Sequence, residues 1–267
     1  MAKRHKTWYN KPKETAKGEI VMKETICTIP INDIFAPKDG CPICRMESML
    51  EEQYVRFITG DAMMEPSVRI DTNKKGFCHR HFSQMFAVGQ KLPNALILES
   101  HLQELIDRYM PKKLKGKPDK KQLDGIKAEL ESCYVCDRIK SDMLHFTATI
   151  FVEWSKGGEF KRLFNEQPYI CLKHYDFLMR AATGKGGIGS KNLSDFYADT
   201  AALTKNYLVS LKADITHFCS MFDYRSKGQE WGSSKDSIER SIEFLTGEKP
   251  GEIFKAIPHN SGVRIAQ

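Results

Sequence analysis

Cys41-Pro42-Ile43-Cys44, then Cys78-His79-Arg80-His81-Phe82, then Cys133-Tyr134-Val135-Cys136, then Cys171-Leu172-Lys173-His174-Tyr175: how these four short stretches are read decides the fold. Thirty-three residues separate the first two and 34 the last two. The offset between the Cys-x-x-Cys units is 92 residues, and between the Cys-x-x-His units 93. One chain therefore carries the same four-ligand pattern twice in the same order, the mark of an internal duplication. The likeness extends past the ligands. Phe77 and Ile170 precede the two Cys-x-x-His units, Phe82 and Tyr175 follow them, and Gly-containing breaks at Gly89 to Asn94 and Gly184 to Asn192 come next.

Six of the eight cysteines lie in these units, while Cys27 and Cys219 stand alone and read as incidental thiols. Two sulfurs from a Cys-x-x-Cys turn plus a sulfur and an imidazole from a Cys-x-x-His turn complete a tetrahedron, the geometry of a closed structural zinc site. The simplest pairing is local. Cys41, Cys44, Cys78 and His81 would hold one ion and Cys133, Cys136, Cys171 and His174 a second, giving two Zn²⁺ per chain. A pairing across halves, such as Cys41 and Cys44 with Cys171 and His174, is the alternative. His81 is chosen over His79 because the repeat places Leu172 opposite His79 and His174 opposite His81. An iron–sulfur cluster is the second choice of cofactor, since all-cysteine ligation is its usual form.

The spacing of apolar residues predicts an all-α protein of internally duplicated helical units, each pinned by a Cys₃His site. Helices are expected over 45–59, 78–88, 137–154, 159–165, 172–182, 193–222 and 237–245, with a third first-half helix capped by Asn94. Residues 61–70 read as a short helix and loop interrupted by Pro66 and the Asp71-Thr72-Asn73 cluster. The expected organisation is a basic tail over 1–26, a first metal-binding unit over 27–110, a basic linker over 111–121, a second unit over 122–225, and a C-terminal helix and tail over 226–267.

Hydrophobic residues make up 41% of the chain, enough for a core, and no apolar run reaches 18 residues, so no membrane span is expected. Met1 to Ile20 is polar and basic, unlike a secretory signal, and a reducing cytoplasmic setting follows for the thiols. The net charge of +7 is unevenly spread: residues 1–17 and 111–121 each hold six Lys/Arg and one acid, so the remainder is mildly acidic.

Thr183 to Lys191 is glycine-rich but lacks Walker spacing, and reads as a loop between helices. His101, His145 and His217 lie among apolar neighbours and read as core or boundary residues. No hydrolase, zincin or deaminase signature is present.

Ile29-Pro30-Ile31-Asn32-Asp33-Ile34-Phe35, Cys41-Pro42-Ile43-Cys44, Gly76-Phe77-Cys78-His79-Arg80-His81-Phe82 and Cys171-Leu172-Lys173-His174 resemble a family of uncharacterised proteins from Gram-positive, often anaerobic, bacteria. The resemblance covers most of the chain. It implies a bacterial cytosolic origin and carries no reaction. Two functional readings stand beside it. One is an interaction module with a protein or nucleic-acid partner, the latter engaged through the basic tail and linker. The other is an enzyme or redox protein with a site between the halves, for which His101, His145, Glu153 and Asp199 are the residues to inspect.

Overall fold

The structure is a computed structural model, and it describes residues 28–111, 116–226 and 228–251. The basic tail (1–26), Cys27, part of the linker (112–115) and the C-terminal residues 252–267 lie outside the described residues. Among the described residues there are eleven α-helices and no strand. They are α1 (Thr28–Phe35), α2 (Pro42–Thr59), α3 (Pro66–Lys75), α4 (His79–Val88), α5 (Lys91–Tyr109), α6 (Lys120–Leu130), α7 (Tyr134–Lys156), α8 (Gly158–Asn165), α9 (Leu172–Thr183), α10 (Ser190–Ser220) and α11 (Ser237–Thr246).

Helices α2 and α7 each begin at a Cys-x-x-Cys unit, and among the described residues they make the most extensive helix pairing. Each buries one apolar stripe: Ile43, Met46, Leu50, Val55 and Ile58 on α2, and Val135, Ile139, Met143, Ile150 and Trp154 on α7. Tyr54 donates a 2.5 Å hydrogen bond to Asp142 across the pair.

Around this pair the two repeats exchange their leading helices. Helix α1 packs on α2 of its own half and reaches across to α8 and α7 of the second. Phe35 meets Phe160 and Phe164 at ring-centroid distances of 5.1 and 5.8 Å, and Gln167 donates a 2.6 Å hydrogen bond to the Phe35 carbonyl. Phe164 continues into Phe196, which stands edge-on to Phe151 and Trp154. The repeat counterpart of α1 is α6, and α6 packs on α5 of the first half. Glu129 of α6 accepts from Tyr109 at 3.2 Å, while Ser132 donates to the Lys75 carbonyl and the Tyr134 amide to the Gly76 carbonyl. Gly76 is needed there: its φ is +56°, and a Cβ would lie 3.0 Å from the His101 ring.

Several local expectations need correction. Pro66 opens α3 at its first turn, where its missing amide costs nothing, and Asp71 to Asn73 continue that helix. Asn94 does not cap α5, which starts at Lys91; its side chain donates to the Met85 carbonyl and so satisfies the end of α4. Helices α1 and α6 were not expected, and α6 begins inside the 111–121 stretch with Asp119 accepting from the Lys121 amide. On α5 only Ile97 and His101 are buried, while Leu102 and Ile106 are exposed. His145 faces solvent: two residues from Met143, it points away from the buried stripe of α7.

Candidate metal centres

In all four ligand pairs, the first cysteine is the N-cap of a helix. Cys41 caps α2, Cys78 α4, Cys133 α7 and Cys171 α9, each in extended backbone geometry, and none makes a side-chain capping hydrogen bond. The second ligand of each pair, Cys44, His81, Cys136 or His174, then stands at the third helical position. N-cap and N3 are the positions whose side chains meet over the first turn in a capping box. Here both side chains turn outward together and offer two donors to one point, close to a helix N-terminus whose partial positive charge favours thiolates.

Two four-residue clusters result, with ligand atoms lying within 4.8 Å of one another in each. Cys41, Cys44, Cys171 and His174 converge between α2 and α9, and Cys78, His81, Cys133 and Cys136 between α4 and α7. Both are three-cysteine, one-histidine sets, and each can hold one metal ion. The local pairing expected from spacing is thereby corrected: each Cys-x-x-Cys unit joins the Cys-x-x-His unit of the other half. The physical reason is the helix exchange. Packing α1 on α8 carries the start of α2 to the start of α9, and packing α6 on α5 carries the start of α7 to the start of α4.

In the α2–α9 centre, His174 Nδ1 lies 3.2 Å from both Cys44 and Cys171 and 3.8 Å from Cys41, and the Cys44 and Cys171 sulfurs are 3.5 Å apart. In the α4–α7 centre, His81 Nδ1 lies 3.2 Å from Cys78 and Cys133 and 3.5 Å from Cys136. The Cys78 and Cys136 sulfurs are 3.9 Å apart.

Each ring presents Nδ1 to the sulfurs and Nε2 to a carboxylate. His174 Nε2 is 3.3 Å from Glu47, and His81 Nε2 is 3.1 Å from Glu51. Such a partner fixes the tautomer and makes the other nitrogen a better donor to a metal. The same carboxylates bind the basic residue just before each histidine: Lys173 reaches Glu47 at 2.6 Å, and Arg80 reaches Glu51 at 2.8 and 2.9 Å. Both acids come from α2, one turn apart. Their repeat counterparts on α7 are Ile139 and Met143, so the duplication is chemically unequal here.

Charge and burial are closely coupled in both clusters. Burial would raise Glu47 and Glu51, but hydrogen bonds from His174 and Lys173, and from His81 and Arg80, hold them at about 2. Burial would lower the histidines, yet their sulfur and carboxylate partners raise His81 to about 10 and His174 to about 11. Despite burial, the hydrogen bond from His81 draws Cys133 down to about 6. Cys136 is pushed up by burial and by the charge of Cys133, and Cys44 by its hydrogen bonds to Cys171 and Cys41. Three sulfurs this close repel one another when ionised, and a cation among them offsets that repulsion.

A cleft of about 610 Å³ lies between the two centres. Cys44 and His174 line it from one side, His81 and Cys136 from the other, with Glu47 and Glu51 between. None of the four residues singled out for a site between the halves is there. His101 is buried against the Asn73 carbonyl, His145 is exposed, Glu153 pairs with Lys156, and Asp199 accepts from Asn165. The glycine-rich stretch simply joins α9 to α10, and Cys219 is exposed. Sequence reading missed Glu47, Glu51, Arg80 and Lys173. The basic residue before each histidine was visible in the repeat, but the two acids have no counterpart at the 92-residue offset to reveal them.

Residues 22–252 match a family of unknown function, DUF6062. The chain belongs to that family. The match takes in all eight cluster residues and both leading helices, so the exchanged arrangement lies wholly within the family's span. No curated protein and no solved structure matches the chain.

The exchanged pairing is decided by replacing one whole cluster, Cys41→Ser, Cys44→Ser, Cys171→Ser and His174→Ala together. One metal ion per chain is expected to remain, because the α4–α7 centre is intact. Local pairing would be left with no complete site, and a metal count of zero in a folded chain would establish it. Separately, Glu51→Ala should weaken metal binding at the α4–α7 centre by about 10–100-fold, the usual scale for losing a carboxylate behind a ligating histidine. Competition with a chelating dye should show one weakened and one unchanged ion.

Proposed function

We propose that the chain is a zinc-stabilised helical interaction protein, in which two zinc ions lock the exchanged halves into a rigid body that presents a binding surface. The observation that carries this reading is the closure of both centres by four protein ligands, which leaves no coordination position for a substrate or a reactive water. The donor set suits zinc. Zn–S bonds near 2.3 Å and Zn–N bonds near 2.0–2.1 Å put ligand atoms about 3.6–3.8 Å apart at the corners of a tetrahedron. The closest contacts in the two clusters, 3.2 to 3.9 Å, bracket that spacing, and all ligand atoms of a cluster lie within 4.8 Å of one another.

The partner in this reading is a protein or a nucleic acid, the latter held by the basic stretches 1–17 and 111–121. The organisation proposed is a basic tail over 1–26, units over 27–110 and 122–225 joined by the linker 111–121, and a terminal segment over 226–267. A bacterial cytoplasm fits free, metal-ready thiols. No helix among the described residues is long and apolar enough to cross a membrane. A second reading, an enzyme or redox protein working between the halves, is favoured by the cleft that both centres line.

Protein purified without oxygen should contain two zinc ions per chain and be colourless. A brown protein with visible absorption would replace zinc with iron–sulfur chemistry. Removing the metal with a chelator should lower the melting temperature markedly, because metal binding and folding share one free energy. For the nucleic-acid version, affinity for a fluorescent single-stranded oligonucleotide should fall steeply between 50 and 200 mM salt and drop further on deleting residues 1–17. Absence of binding at low salt would exclude it.

A further inference from the structure

The two centres share a ligand set but not an environment. In the α2–α9 centre Cys41, Cys171 and His174 are buried and Cys44 is half-buried. The turn after α11 lies over it: Gly247 takes a left-handed conformation (φ +78°), and a Cβ there would sit 3.6 Å from the Cys44 sulfur and 3.9 Å from that of Cys171. In the α4–α7 centre Cys136 is exposed and Cys78 half-buried, and the sulfurs of these two most exposed cysteines of the cluster are 3.9 Å apart. The cleft reaches both centres, since Cys41 and Cys44 line it as well as Cys136, so what separates them is the exposure of Cys136 and the turn at Gly247 that lies over Cys44 and Cys171. Reaction of a zinc-bound thiolate with an oxidant requires access to sulfur, so chemically identical sites should differ in reactivity as they differ in exposure.

We propose that the α4–α7 centre is a peroxide-responsive zinc–thiolate site, with Cys136 as the sulfur attacked and Cys78 as the sulfur that resolves it, while the α2–α9 centre stays loaded. The proposal rests on the zinc reading above. In the first step the Cys136 thiolate attacks hydrogen peroxide. An S–O bond forms, the O–O bond breaks and hydroxide leaves, so the sulfur loses two electrons and becomes a sulfenic acid. In the second step the Cys78 thiolate attacks that sulfur. An S–S bond forms, the S–O bond breaks and a second hydroxide leaves. Two protons from solvent convert the hydroxides to water. The net change is two thiolates, one peroxide and two protons to one disulfide and two waters. With Cys78 and Cys136 joined, only Cys133 and His81 would remain as donors for a zinc ion, so the site's hold on it would be lost. The disulfide joins the same two helices that the ion joined, so the exchanged fold survives and only the zinc state is read out.

The experiment uses the full chain loaded with two zinc ions. Hydrogen peroxide is added while a chromogenic dye reports released zinc, and cysteines are mapped by alkylation and mass spectrometry. One zinc ion per chain should leave at least tenfold faster than the other, in step with a Cys78–Cys136 disulfide, while Cys41, Cys44 and Cys171 remain thiols. Cys219 serves as an internal reference, an exposed thiol outside both clusters. Cys136→His, which keeps a zinc donor but removes the attacked sulfur, should slow the fast release at least tenfold; release at the native rate overturns the proposal. Should that variant fail to load, the order mapped in the native chain decides by itself. Two ions that leave together, or oxidation that begins at Cys41, Cys44 or Cys171, overturn the proposal alone. A chain holding no zinc before peroxide is added overturns the zinc reading and this proposal with it.

Discussion

Everything in this protein depends on the meeting of helix N-termini from opposite halves of the chain. Four first turns, each capped by a cysteine, come together in two pairs, and each pair joins a Cys-x-x-Cys unit to the Cys-x-x-His unit of the other repeat. A free helix start leaves unsatisfied amides and a concentrated partial charge. Bringing two such starts together is unfavourable unless negative charge and a cation lie between them. The cysteine sulfurs supply the first, and the convergence of three of them and one imidazole in each cluster is the geometry that suits the second. The aromatic seat of Phe35 against Phe160 and Phe164 and the docking of α6 on α5 hold the partners in place.

The exchange joins ligands far apart in sequence. Cys44 and Cys171 are 127 positions apart, whereas local pairing would have joined Cys44 to Cys78 across 34. Loop-closure entropy grows only logarithmically, so the longer connection costs about 1 kcal/mol more. That is small beside the burial of Phe35 and its neighbours. Proximity in sequence was therefore a weak guide, and packing of the leading helices decided the pairing.

Duplication has not produced two equal sites. Helix α2 supplies the carboxylates behind both histidines, while α7 offers Ile139 and Met143 at the corresponding places. One centre is covered by the turn at Gly247 and the other exposes Cys136. The two repeats thus share an ancestral ligand scaffold but divide the work around it, with α2 positioning both rings and α7 contributing apolar surface to the cleft.

Much of the architecture was legible in the order of residues. The helices beginning at the ligand turns follow from apolar spacing and from cysteine at N-cap and N3, and the eight cluster residues stand out because the pattern occurs twice. Local chemistry misled where one residue type serves two ends of a helix: Asn94 closes α4 instead of opening α5, and Pro66 starts a helix instead of breaking one. By itself, then, the sequence determined an all-helical duplicated chain and the identity of its clustered thiols and imidazoles, because ligand spacing and helical period are properties of neighbouring residues. Only the tertiary structure decided which halves share a cluster, that Glu47 and Glu51 stand behind the histidines, and which sulfur faces solvent. Those depend on how helices pack at long range, and a 92-residue repeat leaves local and exchanged pairings equally well patterned.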